Sequence, residues 1–258
     1  MHNIKVSQLV RDRVIKRRGK YHIFDEINPA HTAFVVIDMQ NTFLKPGAPV
    51  EVPKGREIVN NINSEYQKPI FYECDVKDKS KLQTIIKDIG EKNNRIDVLI
   101  NNAANDQRHK IEDVTEEFWK DRLDVNLSHA FFATKAAIPY LKKSNYASVI
   151  NFSSISWHVG MKDLIAYETA KAGIHGLTKS FARELGEFKI RVNAIVPGWI
   201  MTERQLKLWL TPEMDKWREE QQSLPDRVYP IDISRLALFL ASSDSKMITA
   251  QFHKIDGG

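Results

Sequence analysis

The stretch SVINFSSISWHVGMKDLIAYETAKAGIHGLTKSFARELGEFKIRVNAIV, residues 148–196, decides the fold. It opens on one short apolar run, Ser148–Phe152, and closes on another, Arg191–Val196, with a helical stretch, Leu164–Phe188, between them. Short runs rich in Val and Ile, bounded by turn residues, read as strands buried on both faces. A strand, a helix and a second such strand make a parallel crossover unit. Outward from this unit the alternation continues. Strands are expected at Ala33–Asp38, Pro69–Cys74, Asp97–Asn101 and Phe252–Ile255, and helices at Arg56–Tyr66, Ser80–Glu91, Glu116–Lys142, roughly Glu203–Gln221, and Ile233–Ala241. Thr115 is placed to cap Glu116–Lys142, while Pro212, Pro225 and Pro230 break the region after Thr202 into a lid. The pattern predicts an α/β protein with a doubly wound parallel sheet in three α/β/α layers.

Composition narrows the class further. With 258 residues, 42% of them apolar and 28% charged, the chain suits one α/β domain over residues 31–258 behind a basic arm, 1–30. No apolar run approaches the roughly 18 residues of a membrane span, and the charged start does not read as a signal peptide. The single cysteine, Cys74, excludes an internal disulfide and a cysteine-cluster metal site, so a cytoplasmic protein with no metal is expected. The net charge is +5, yet residues 1–20 carry +6 and the remainder −1. A nucleic-acid-binding face is therefore not expected. The arm is either a solvated terminus or a segment that meets phosphates or a partner subunit.

Chemistry concentrates in the deciding stretch. Tyr167 and Lys171 stand four apart in YETAK, on one face of a helix. A fixed cation beside a phenol stabilises the phenolate, which allows proton exchange nearer neutral pH. On a surface helix the same pair would only be solvated. Ser154, however, ends the strand at Ser148–Phe152, and the carboxyl ends of strands are where doubly wound sheets bind ligands.

In this order the residues resemble the short-chain dehydrogenase/reductase family from about Pro69 to Gly258. The matching segments are CDV (Cys74–Val76), DVLINNA (Asp97–Ala103), VNL (Val125–Leu127), Ser153-Ser154, YETAK, RVNAIVPG (Arg191–Gly198), LALFLAS (Leu236–Ser242) and the terminal IDGG. The resemblance implies a Rossmann-like fold and NAD or NADP as cofactor. It implies Tyr167 as general acid/base, Lys171 lowering its pKa and binding the nicotinamide ribose, Ser154 positioning the reacting oxygen, and Asn126 holding a water in a proton relay. Pro197, Gly198, Ile200 and Thr202 would meet the nicotinamide and phosphates, Asn102 and Ala103 the adenosine ribose, and Asp75 and Val76 the adenine. Ala104 stands where the family usually has glycine. Assembly as a homodimer or homotetramer through Glu116–Lys142 and Leu164–Phe188 is also implied.

Three segments resemble the family's aldose 1-dehydrogenases: NAANDQRH (Asn102–His109), SISWHVG (Ser154–Gly160) and PGWIMTERQ (Pro197–Gln205). This resemblance implies a sugar substrate oxidised at C1, with Asn105, His158 and Trp199 as substrate contacts. His158 could equally be a loop histidine, and Trp199 could simply pack under the lid.

Before Pro69 the family pattern stops. The glycines there, Gly19, Gly47 and Gly55, are 28 and 8 residues apart, so they cannot build the TGxxxGxG turn whose backbone amides meet the pyrophosphate. Residues of about Arg13–Asn63, with VVIDMQ at Val35–Gln40, are instead similar to the opening of isochorismatase-like cysteine hydrolases, Asp38 matching their aspartate and Cys74 being the sole thiol. The sequence thus reads as a chimera joined near Ser64–Lys68, with a flavodoxin-like strand order 2-1-3-4-5-6. Loss of one strand would move Asp75 inward by roughly 4.8 Å. Three functions follow: a sugar dehydrogenase, impaired by the missing turn; a non-catalytic chimeric scaffold; and a cysteine hydrolase using Asp38 and Cys74.

Overall fold

A computed structural model describes residues 70–258 and the backbone of Phe34–Ile37. Five parallel strands lie side by side in chain order: β1 (Phe34–Ile37), β2 (Val98–Asn101), β3 (Ser148–Phe152), β4 (Arg191–Pro197) and β5 (Phe252–Ile255). The register sets Phe34 against Val98, Val98 against Ser148, Ser148 against Arg191, and Ala194 against Phe252. Of the expected strands, the run at Pro69–Cys74 does not form. Residues 70–74 make no ladder, and Ile70 is 73% exposed. Its mixture of apolar and polar residues needs a neighbouring strand to hold it, and β1 ends the sheet among the described residues. The order 2-1-3-4-5-6 is therefore present without its outer member. Without that strand Asp75 is not carried inward by an inter-strand spacing. The helix expected at Arg56–Tyr66 and the arm lie outside the described residues.

The helices follow their sequence signals closely. Helix α1 (Lys79–Asn93) is capped by the Asp78 carboxylate, which accepts from the Lys81 amide at 2.9 Å. Helix α2 (Glu116–Leu123) starts at Thr115, whose hydroxyl accepts from the Phe118 amide at 3.1 Å. It runs through a π-helical turn, Asp124–Ser128, into α3 (His129–Leu141). The long helix α5 (Ile165–Leu185) follows the short α4 (Ser156–Val159). The lid is broken as its prolines require. Helix α6 (Glu203–Leu208) is capped by Thr202, α7 (Pro212–Gln221) by Thr211, and α8 is Pro230–Ala241.

Alternation along the strands builds the three layers. Leu99, Val149 and Val192 join Leu82, Ile86, Ala137, Leu141 and Phe181 on the face covered by α1, α3 and α5. Val98, Ile150 and Ile195 pack with Ile233 and Leu240 of α8 on the other face. Fully burying an aliphatic side chain stabilises by about 1.5–3 kcal/mol, so each face holds its helices independently. Beyond this core the carboxyl ends of the strands turn polar. Asn101 donates to Asn151 at 2.8 Å and to Thr134 at 3.2 Å, and Asn151 donates to Thr178 at 3.0 Å.

Candidate active site

The strand ends and α5 bring Ser154, Tyr167 and Lys171 together. Ser154 leaves the carboxyl end of β3, its oxygen held by the Ser156 amide at 3.1 Å, and its hydroxyl lies close enough to the Tyr167 phenol to favour the phenol's ionised form. Lys171, one turn further along α5, is only 2% exposed. Its Nζ donates to the Phe152 carbonyl at 2.8 Å and lies 5.7 Å from the centre of the Tyr167 ring. The adjacent Ser153 hydroxyl donates to the Lys171 carbonyl at 2.8 Å, so β3 and α5 are tied at this level.

The electrostatics differ from the sequence expectation. Burial pushes the Tyr167 phenol up to about 12, assisted by the Asp106 carboxylate, against the lowering influence of Ser154 and Arg204. Burial likewise pulls Lys171 down to about 7. Desolvation disfavours both charges here. Proximity of Lys171 alone therefore leaves the phenol protonated at neutral pH, and lowering its pKa requires a further positive charge nearby.

Asn126 is fully buried in the π-helical turn, and its carboxamide is committed to the protein. Its oxygen accepts from the Asn105 amide at 2.8 Å, while its nitrogen donates to the carbonyls of Asn105 at 3.1 Å and Arg122 at 2.9 Å. Both hydrogens of the Asn126 carboxamide are thereby used, so its side chain has none left to donate to a water. Asn105 is a loop anchor in the same network: its side-chain oxygen accepts from Arg122 at 3.0 Å and from the Gln107 amide at 3.0 Å.

The lid-side candidates are tied as follows. Trp199 donates to Gln205 at 2.8 Å, and Thr202 accepts from the Gln205 amide at 3.3 Å as the cap of α6. Ile200 bridges to Val228, the Pro197 carbonyl accepts from Ile155 at 3.1 Å, and the Gly198 amide donates to Ile255 at 2.8 Å. A Cβ on Gly198 would lie 2.7 Å from the Asp256 Cα, which explains the glycine by strand packing. His158 stacks on Trp157 at 3.7 Å with its pKa lowered by burial and by Lys254. Asn102 is half-buried, and Ala103 and Val76 point into the core, leaving only their backbones for a ligand. The Asp75 side chain is exposed in the turn before α1, where it accepts from the Lys77 amide at 2.9 Å.

The hydrolase reading finds no activated thiol. Burial pushes Cys74 up, and its Sγ donates to the Asp75 carbonyl at 3.3 Å, whereas a nucleophilic cysteine needs a depressed pKa. Asp38 lies outside the described residues. Among the described residues no group of three or more His, Cys, Asp or Glu is placed to hold a metal ion, and no helix is long and apolar enough to cross a membrane.

Sequence reasoning missed two residues beside Tyr167. Arg204 of α6 donates to Asp106, in the loop after β2, at 2.9 Å. Both lie in segments singled out in the sequence, but they are 98 residues apart, and only the fold pairs them.

A cofactor with a nicotinamide end fits the donor set around Lys171. That ammonium has three hydrogens and uses one on the Phe152 carbonyl, leaving donors for ribose hydroxyls. The pyrophosphate end has no glycine turn available in the sequence before residue 70.

Comparisons with known proteins agree with this fold. The family model described as enoyl-(acyl carrier protein) reductase, adh_short_C2, matches residues 50–258. D-xylose 1-dehydrogenase of Caulobacter vibrioides is 46% identical over 190 residues, covering 74% of this chain and 75% of that protein. A protein named "Probable galactose dehydrogenase GalD" from Rhizobium meliloti is 45% identical over 192 residues, 74% of this chain and 75% of the relative. Trans-4-hydroxycyclohexanecarboxylate dehydrogenase of Sinomonas cyclohexanicum is 33% identical and spans 98% of this chain and 95% of its own. Among solved structures, a protein named "putative short-chain alcohol dehydrogenase" from Sinorhizobium meliloti 1021 superposes with a TM-score of 0.75 at 25% identity, covering 88% of this chain and 85% of its own. The match from residue 50 begins inside the segment read as hydrolase-like, and these relatives give that segment no support. The half-buried tyrosine beside the buried lysine, the parallel sheet and the matched length together place the chain in the short-chain dehydrogenase/reductase family, to which it belongs.

Proposed function

We propose that this protein oxidises an aldose at C1 with NAD or NADP. The observation that carries the reading is the convergence of Ser154 and Tyr167 beside the buried Lys171, whose Nζ lies 5.7 Å from the centre of the Tyr167 ring. A bound oxidised nicotinamide supplies the hydride acceptor and a positive charge. Ser154 orients the anomeric hydroxyl, Tyr167 takes its proton, and C1 loses a hydride, so the aldose leaves as a lactone with one proton released. Lys171 binds the ribose through its remaining donors. The names of the relatives from Caulobacter and Rhizobium, a xylose and a galactose dehydrogenase, support a sugar substrate.

One α/β domain over 31–258 behind the arm at 1–30, a cytoplasmic location, and a homodimer or homotetramer formed through α2–α3 and α5 belong to the same reading. The exposed Phe131 and Ile165 on those helices support the assembly, which sedimentation would measure directly. The missing glycine turn favours a second reading, a scaffold without turnover.

The decisive experiment follows reduced-cofactor absorbance with D-xylose and D-galactose against NAD and NADP. Saturable turnover is expected. Tyr167→Phe should lower it by roughly 10²–10⁴-fold while leaving the folding transition in place. Undiminished turnover in that variant overturns the acid/base assignment. Absence of cofactor binding to the native chain favours the scaffold.

A further inference from the structure

We propose that Asp106 and Arg204 grip the substrate hydroxyls remote from the reacting carbon, and so select a neutral polyhydroxylated substrate. This inference rests on the aldose reading above and names the side chains that would enforce it.

The topology places the pair across the crevice. Asp106 lies in the loop that leaves β2, and Arg204 in the first turn of α6, after β4. Strand β3, which delivers Ser154, lies between β2 and β4. The 2.9 Å contact between Arg204 and Asp106 therefore spans the opening above Ser154 and Tyr167. Both side chains act on the Tyr167 oxygen in opposite directions, Asp106 disfavouring and Arg204 favouring its ionised form, which places them near the phenol.

Stability does not account for this pair. Its side chains remain 33% and 30% exposed, and ion pairs as solvated as this contribute little to folding. Its hydrogen bonding is also incomplete. The bond uses one guanidinium nitrogen and one carboxylate oxygen, while the buried Arg204 Nε has no partner among the described residues. A buried donor without a partner is uncommon, and a ligand oxygen would satisfy it.

The chemistry of the pair fits adjacent hydroxyls. A carboxylate accepts from one hydroxyl, and the flat guanidinium donates to its neighbour. A substrate carrying its own carboxylate would meet Asp106 with like charge. One lacking hydroxyls would leave the Arg204 Nε and the second Asp106 oxygen desolvated without a partner, the situation that gives the largest rejection in polar sites. The loop is firm enough for this task, because Asn105, immediately before Asp106, is pinned by Asn126 and Arg122.

The test uses Asp106→Asn, Arg204→Gln and the double variant in the full chain. D-xylose, D-galactose and pentoses lacking the 2-, 3- or 4-hydroxyl serve as substrates or, where not turned over, as competitive inhibitors. Each single variant should raise KM for the complete sugars roughly ten- to hundredfold, with a smaller change in kcat. The penalty should vanish for at least one deoxy sugar, whose partner hydroxyl is already gone. NAD(P) affinity, read by tryptophan quenching, and the thermal midpoint should stay at native values. An equal penalty on every sugar, or parallel losses in cofactor affinity and melting, would make the pair a lid strut and overturn the proposal. Native protein that reduces cofactor with no aldose removes the aldose reading and the clamp together. Native turnover with unchanged KM in the variants removes the clamp alone.

Discussion

His129 offers a sharp check on the buried chemistry around Lys171. It opens α3, is 1% exposed, and neither ring nitrogen has a hydrogen-bond partner of ordinary geometry. Burial first, and the nearby Lys171 second, hold its pKa down at about 3, while the Val125 carbonyl pulls the other way. In the unfolded chain the ring titrates near 6.5. Above that pH neither state binds the proton and His129 adds no pH dependence to stability. As pH falls through 6.5 the unfolded chain takes up a proton that the native chain refuses, and stability drops until the native ring also titrates. Each pH unit costs about 1.4 kcal/mol, so the loss at pH 4.5 is about 3 kcal/mol. Asp124, held to about 2 by Lys120 and Lys79 against its burial, changes below this window and Lys171, at about 7, above it, while His175, lowered by burial to about 4, titrates within it in native protein and variant alike. Urea unfolding at pH 6.5 and 4.5 of the native protein and of His129→Leu should show the native protein losing about 2 kcal/mol more than the variant, since at pH 6.5 the unfolded ring is already half protonated. Equal losses would mean that His129 is hydrated or partnered in solution, and the account of a dry site around Lys171 would fail with it.

Further outcomes follow from the same geometry. Lys171→Met removes a buried cation, so its stability relative to the native protein should rise as pH falls from about 10.5 to about 7 and then level off, while cofactor binding is lost; pH-dependent melting with a parallel NADH titration checks both. Asn126→Ala removes three buried hydrogen bonds and should cost about 3 kcal/mol, read by urea unfolding; a cost below about 1 kcal/mol would show that the Asn105 loop stands without it. Gly198→Ala forces a methyl to within 2.7 Å of the Asp256 Cα and should cost about 1–3 kcal/mol by parting the ends of β4 and β5, with amide exchange at Gly198 as the local probe.

Much of the architecture was legible because buried parallel strands announce themselves as short apolar runs. Ser148–Phe152 and Phe252–Ile255 form over the expected residues, and the Thr115 cap is present. The run at Pro69–Cys74 fails because a strand is a relation between two segments, and no local pattern reveals whether a neighbour exists. Glu116–Lys142 was legible as one helix but not as one containing a π-helical turn, since a single widened turn barely disturbs its periodicity. At the site, the Tyr167–Lys171 spacing fixes a shared helix face. The net effect of burial on the two pKa values is a three-dimensional sum that four-residue spacing does not contain. The Asp106–Arg204 contact is invisible for the same reason, as it depends on loops from two different strands.

Strand β3 holds the central place among the five described strands, with two parallel neighbours on each side. A margin can be rebuilt while a centre stays put: exchanging or shortening the outermost strand alters one ladder, whereas Ser154 is anchored through ladders to both β2 and β4. On the proposed function, proton handling therefore sits at the centre of the sheet, while the grip on the distant phosphates falls toward its amino-terminal margin. A lineage that rewrites its amino-terminal margin would forfeit tight holding of the distant phosphates before it forfeited the tyrosine's capacity to move a proton.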